Sequence, residues 1–238
     1  MARTMDSAFA GTLGELKRSR GVTERYSSCF LEVLPVSGAA VSTLGEVLGT
    51  ETVSATDTMA ARLDEIQFDV GEGPCWDAAR TAAPVAEVDL QGRGALRWPA
   101  FGAAVHGQEV ASIFAFPLHV GGMRLGAVDL YSRDPMRLDD RQYEQASAMA
   151  GVIGRHVLSQ AISSLDADAD VDSPYSRRVV HQATGVVLAQ LDIDAEDAAL
   201  IIGGHAFAAG ATTMEVSRDI IQGRLRFVRE GGRIEARR

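Results

Sequence analysis

The apolar positions of the chain change their period several times, and each change marks an element. From Thr23 the stretch "TERYSSCFLEVL" spaces Tyr26, Cys29, Phe30, Val33 and Leu34 at helical intervals until Pro35 stops it. "GAAVSTL" and "TVSAT" then read as strands joined by the short "GEVLGTE" connection. Helical spacing returns over 58–68, breaks at the Gly- and Pro-rich turn 71–74, and resumes as a short helix over 75–81 ahead of a strand near 84–88. In "ASIFAFPLHVGGMRLGAVDLYSR" two apolar runs flank Gly121-Gly122, which is hairpin chemistry because tight primed turns need the positive φ that glycine supplies. Residues 1–22 alternate small and polar side chains and predict a short helix at most. Residues 23–137 therefore predict an α+β domain, an antiparallel sheet with flanking helices.

The pattern shifts again after Leu138. Tyr143, Ala146, Ala150, Ile153, Val157 and Ala161 fall three or four apart, close to a heptad, and predict a connecting helix over 138–166. Such a helix either lies on its own sheet or forms the seam of a homodimer with coiled-coil character. The acidic "DADADVDSP" follows and reads as a linker over 167–175. Residues 176–230 then predict three short helices packed as an all-α bundle. Asp194 is placed to cap the second helix, which Gly210 ends, and Thr212 or Thr213 starts the third with Glu215 in its first turn. Gly185 sits inside the first of these helices, where glycine costs about 1 kcal/mol against alanine. Its presence predicts a close helix crossing. Residues 231–238 read as a basic tail.

Composition bounds the chemistry. With 46% apolar and 23% charged residues over 238 positions, the chain is an ordinary globular protein. No run reaches the ~18 consecutive apolar residues of a membrane span, and no leader-like segment opens the chain, so a soluble cytoplasmic protein is expected. The only two cysteines, Cys29 and Cys75, lack CxxC spacing, and the five histidines stand apart, which argues against a metal site. No G-x-S-x-G elbow occurs, and "GEGP" lacks the GK[ST] of a phosphate loop, so it reads as a turn placing Cys75 and Trp76. No catalysis is expected. The net charge of −9 argues against nucleic acid as a global partner, but residues 171–238 carry as many arginines as acids and end in an arginine-rich stretch.

Two resemblances give these features a function. Ala183 and Gly185 in "QATG", Asp197 and Ala198, "HAF" at 205–207 and "EVSRDII" at 215–221 resemble an ANTAR domain, a three-helix RNA-binding module. "GEGPCWDAARTAAPVAEVDL", "RWPAF" and "FPLHVGGMRLGAVDLYS" resemble a GAF domain, and GAF followed by ANTAR is a recurrent order. The resemblance implies a cytoplasmic, homodimeric regulator whose GAF half senses an unidentified small molecule and whose ANTAR half binds RNA hairpins in nascent transcripts to prevent termination. It implies RNA contacts by Arg177, Arg178, His181, Gln182, Thr184, Arg218, Arg224 and Arg226. The chain departs from that pattern at Gly203 and Ala211, where basic residues are expected, at Thr184, often lysine, and at Ser217, usually alanine. For the GAF pocket, the aromatic Trp76, Trp98, Phe101, Phe114 and Phe116 are candidates, with Asp89 as a polar contact and Cys75 beside them. No cofactor is assigned. Cys75 is either a packed thiol or, at a helix start, an activated one with Cys29 as partner. The second case gives an alternative function, a two-cysteine GAF redox enzyme of the methionine sulfoxide reductase type; a ligand-free GAF dimer scaffold is a further alternative.

Overall fold

The computed structural model describes residues 2–45, 48–165 and 175–237. It divides into two compact units, Met1–Tyr175 and Ser176–Arg238. The predicted linker at 167–175 lies, except for Tyr175, outside the described residues.

In the first unit, helices α1 (Ala2–Arg18) and α2 (Glu24–Val33) precede strands β1 (Gly38–Thr43) and β2 (Glu51–Ala55). Helices α3 (Thr58–Val70) and α4 (Pro74–Thr81), strand β3 (Val85–Glu87) and helices α5 (Leu90–Arg97) and α6 (Pro99–Val105) follow. Strands β4 (Ser112–Val120) and β5 (Met123–Ser132) and the long helix α7 (Asp140–Leu165) complete it. The sheet is antiparallel throughout, in the order β2-β1-β5-β4-β3. Val120 pairs with Met123 across Gly121-Gly122, and Gly121 takes the positive φ the turn requires.

Side chains alternate across a strand, and here both sides are apolar. Phe114, Phe116, Leu118, Val128 and Leu130 point to one core, shared with Leu16, Tyr26, Cys29 and Phe30 and with Ala146, Ala150, Ile153 and Val157 of α7. Ile113, Ala115 and Tyr131 point to the other, shared with Ala60, Leu63, Ile66, Ala78, Leu90, Trp98 and Phe101. Helices α1, α2 and α7 thus cover one face, and α3 to α6 the other. This is the α+β arrangement the pattern predicted.

Three expectations change. The opening segment is a 17-residue helix, because Phe9, Leu13 and Leu16 recur at helical spacing among small residues and dock into the first core, and Thr12 donates to Glu32 at 3.0 Å. The near-heptad run of α7 is not a free seam. Ala146, Ala150, Ile153 and Val157 are buried against the protein's own sheet, so α7 is a layer of the domain rather than a coiled-coil connector. Helices α5 and α6 fall where the apolar pattern predicts no element, since each spans only two turns. Asp89 caps α5 by accepting from Gly92 N, and Glu72 accepts from the amides of Ala100 and Phe101 at the start of α6.

The second unit holds α8 (Arg178–Leu191), α9 (Ala195–Ala209) and α10 (Thr213–Ile221), then strands β6 (Arg226–Glu230) and β7 (Arg233–Arg237). Ala183, Val187 and Leu191 of α8 meet Ala198, Ile202 and Ala206 of α9 and Val216 and Ile220 of α10 in one core. Asp194 accepts from Asp197 N at 2.8 Å, and Thr212 and Glu215 form a reciprocal capping box. The described part of the predicted tail is instead a hairpin with β6, so the unit is not all-α. Phe227 buries its ring in the helical core, edge-on to His205 at 5.4 Å, and its amide donates to Gln190 at 3.0 Å.

Gly185 also differs from expectation. It is exposed, and a Cβ built there meets nothing within 4 Å. The buried alanines, not this glycine, make the close crossings. Gly185→Ala is therefore expected to stabilise the second unit by about 0.5–1 kcal/mol through backbone entropy, measured by chemical denaturation; a decrease would mean that an atom crosses at that position.

Candidate functional site

The candidate ligand-pocket residues do not converge. Phe114 and Phe116 face α7, where Tyr143 packs on them at ring distances of 6.4 and 5.7 Å. Trp98 and Phe101 lie on the opposite face, edge to face at 6.3 Å, with Trp98 Nε1 donating to Asp77 at 3.1 Å. Strand alternation separates the two pairs. The Asp89 side chain serves as the cap of α5. Cys75 is fully buried beside Leu44 and Ala127, and the half-buried Trp76 donates its Nε1 to Gln67 O at 2.8 Å.

What gathers around Cys75 is a polar cluster that sequence reading missed. Gln67, at the C-terminal end of α3, donates its Nε2 to Asp129 Oδ2 and accepts from Cys75 N at 2.8 Å. The turn "GEGP" permits this: a Cβ at Gly73 would collide with the Gln67 side chain, and Gly73 takes a φ of 137°. Asp64, one turn before Gln67, accepts from Thr52 Oγ1 at 2.9 Å. Asp64 Oδ1 and Asp129 Oδ1 are buried with no donor from another residue among those described, and the two carboxyls bond each other once one of them holds a proton. The available signal was a lone aspartate in the otherwise apolar "GAVDLY" of β5.

Two buried carboxyls cannot both ionise cheaply. Burial, reinforced by the charge of Asp129, holds Asp64 well above the ordinary carboxylate range. Burial also raises Asp129, to about 7, against the opposing hydrogen bond from Gln67. The pair can thus carry a proton near neutrality. Burial pushes the Cys75 thiol well above its ordinary value, and the nearby Asp129 and Asp64 charges add to this. The helix start does not activate it. Cys29 is raised to about 12, again chiefly by burial. The two thiols are free and pack on opposite faces of the sheet, which overturns their pairing as a redox couple.

On the second unit, Arg178, His181 and Gln182 are exposed together on the side of α8 opposite Ala183, Val187 and Leu191. Arg177 is half-buried at the N-cap of α8. Thr184 donates its hydroxyl to Val180 O at 2.8 Å, which engages it within its own helix. Arg218 is exposed on α10, and Arg226 on β6 stands across from Arg237. Arg224 is bound to Asp219 at 2.5 Å and to Gln222, so its charge is already matched.

The raised Asp129 sets a pH dependence. The folded state holds a proton that an unfolded aspartate releases near pH 4, so the contribution of Asp129 to stability is fully present below about pH 4 and is lost as pH rises through about 7. Asp129→Asn should raise the thermal midpoint by several degrees near pH 8 and leave it almost unchanged near pH 4, read by circular dichroism. Under mild oxidation the folded chain should retain two free thiols per molecule, counted by mass spectrometry after denaturing alkylation.

A sequence model of the GAF domain family matches residues 19–157, and no curated protein matches the chain. Among solved structures, the GAF domain from Acinetobacter phosphoenolpyruvate-protein phosphotransferase is similar at 12% identity and a TM-score of 0.51, over 72% of this chain and 100% of that one. The free methionine-R-sulfoxide reductase from Neisseria meningitidis, solved in complex with its substrate, is similar at 10% identity and a TM-score of 0.50, over 68% and 91%. At such identities the likeness is one of fold. The matched segment runs from just before α2 through most of α7, the two-faced sheet with all but one of its covering helices. This chain belongs to the GAF domain family.

Proposed function

We propose that the chain is a cytoplasmic, signal-responsive regulator in which the GAF unit senses a small molecule and the second unit, read as an ANTAR domain, binds RNA hairpins in nascent transcripts to oppose termination. The observation that carries the reading is a second unit with its own core, in which alanines 183, 198 and 206 sit at the helix contacts and the opposite side of α8 presents Arg178, His181 and Gln182 to solvent. Cations on an exposed helix side can neutralise phosphates, and each such contact steepens the salt dependence of binding.

The electrostatics narrow the contact set. Arg224 is matched by Asp219 and the Thr184 hydroxyl is engaged within α8, whereas the exposed Arg178, His181, Gln182, Arg218 and Arg226 are the proposed RNA-facing residues on the ground of their exposure, with Arg177 at their margin. A dimer, which the reading includes, has to use surfaces other than the α7 positions buried on the sheet. The proposed regulator needs no catalytic step, and burial that raises both thiols is in keeping with that reading.

The test is retrieval of cellular RNA on the purified chain, followed by sequencing, beside the variant carrying Arg178→Glu and Arg218→Glu. The wild type should enrich transcripts with paired hairpins and the variant should lose at least about tenfold of that binding, with a flatter salt dependence. Equal retrieval by the two proteins, or no enrichment by either, overturns the reading.

A further inference from the structure

An open cleft of about 530 Å³ lies beside the outermost strand β3, lined by Ala86, Glu87, Val88, Arg93, Arg97, Arg137, Leu138 and Tyr143. It belongs to neither the polar cluster around Cys75 nor the aromatic pair Trp98 and Phe101. Arg93 and Arg97 stand one turn apart on α5, so they share a side of that helix, and Arg137 comes from the connection between β5 and α7. Arg97 is fixed in place: it donates to Ala86 O at 3.1 Å, its guanidinium lies 4.5 Å from the Trp98 ring centre, and it approaches Asp77 at 3.7 Å. Arg93 and Arg137 have no ion-pair partner among the described residues. Glu87 is the one acid in the lining, and its Oε1 accepts from Asp89 N at 3.1 Å.

This concentration of positive charge runs against its surroundings. All of the net −9 falls within residues 1–170, and three arginines elsewhere in the unit are ion-paired, Arg25 with Glu15 and Glu32, Arg80 with Asp77, and Arg133 with Glu109, whereas two of the cleft's three are not. Three guanidinium groups around one cleft repel one another unless an anion joins them. An extended polyanion would meet the acidic remainder of the unit, whereas a small anion feels mainly the groups within a Debye length of ~8 Å. The volume falls in the range of small-molecule sites, roughly 300–1,000 Å³. Ala86, Val88 and Leu138, with the Tyr143 ring, supply an apolar wall for an organic body.

The geometry points to a binding site for a small phosphomonoester, its phosphate held by Arg93, Arg97 and Arg137 and its apolar body laid against Val88, Leu138 and Tyr143. With Glu87 in the lining and Asp77 reaching Arg97 from outside it, the three arginines still leave the cleft with a positive excess that an anion would offset. A tetrahedral phosphate offers three oxygens to three planar forks, where a planar carboxylate offers two. The site would supply a signal to the sensing unit, and it stands whether or not the second unit binds RNA.

Calorimetric titration of the full chain with phenyl phosphate tests this. One-to-one binding with a dissociation constant of about 1 mM or tighter is expected. It should weaken with added salt, and benzoate and inorganic phosphate should each bind several-fold more weakly. The double variant Arg93→Gln and Arg137→Gln, exposed positions whose loss leaves the thermal midpoint near wild type, should weaken phenyl phosphate by roughly tenfold or more. Amide resonances of residues 86–88, 93–97 and 137–138 should shift on titration. Absence of saturable heat up to about 10 mM ligand, unchanged affinity in the double variant, benzoate binding as tightly as phenyl phosphate, or shifts confined to other residues each overturns the proposal.

Discussion

The alternation of side chains along β4 and β5 is the constraint on which the first unit depends. Because these strands are buried on both faces, each successive residue belongs to a different core. Phe114 and Phe116 hold α7 to the sheet, while Ile113 and Ala115 receive Trp98, Phe101 and the helices around them. One residue of slip would exchange the two sets. The same division separates Cys29 from Cys75 and buries one side of α7 against the sheet. Residues that look like companions in a linear reading become neighbours or strangers according to parity alone.

Within that frame, Gln67 joins three elements. Its side chain contacts Asp129 on β5 and the amide of Cys75 on α4, while its own carbonyl receives the Trp76 indole. Such a polar junction inside an apolar layer is costly unless its groups are satisfied, and the two carboxyls here satisfy each other only while one of them holds a proton. The unfavourable ionisation of Asp64 and Asp129 follows directly from that placement. Buried titratable groups with raised affinity for a proton are characteristic of functional positions, and this pair lies behind the helices that cover the second face.

The second unit solves a smaller problem with less material. Its helices are short, so their ends matter: Asp194 and the Thr212–Glu215 box satisfy amides that would otherwise lack partners. Small side chains at 183, 198 and 206 bring the helices close, and Phe227 of the hairpin closes the core. The charged groups left outside are unevenly matched. Arg224 is held by Asp219 and Arg237 by Glu230, whereas Arg218 has no such ion pair among the described residues. The β3 cleft shows the same contrast within the acidic unit, where Arg93 and Arg137 stand open while neighbouring arginines are paired.

Sequence alone determined the elements whose signals are local. Period and punctuation placed β4, β5 and their Gly121-Gly122 turn, the helices α2, α3 and α7, and the caps Asp194, Gly210 and Thr212, because turn and cap chemistry acts over a few residues. The two-turn helices α5 and α6 and the docked α1 escaped, their apolar positions being too few or too widely set among small residues to stand out. Tertiary structure alone decided where the side chains went. Nothing in the spacing of Phe114 and Trp98 tells that a sheet lies between them, that Gly185 faces open space, or that Asp64, Gln67 and Asp129 meet. Nor could it join Arg93, Arg97 and Arg137 around one cleft. Contacts between distant segments depend on strand order and helix placement, which minimise the energy of the whole chain and leave no mark at any one position.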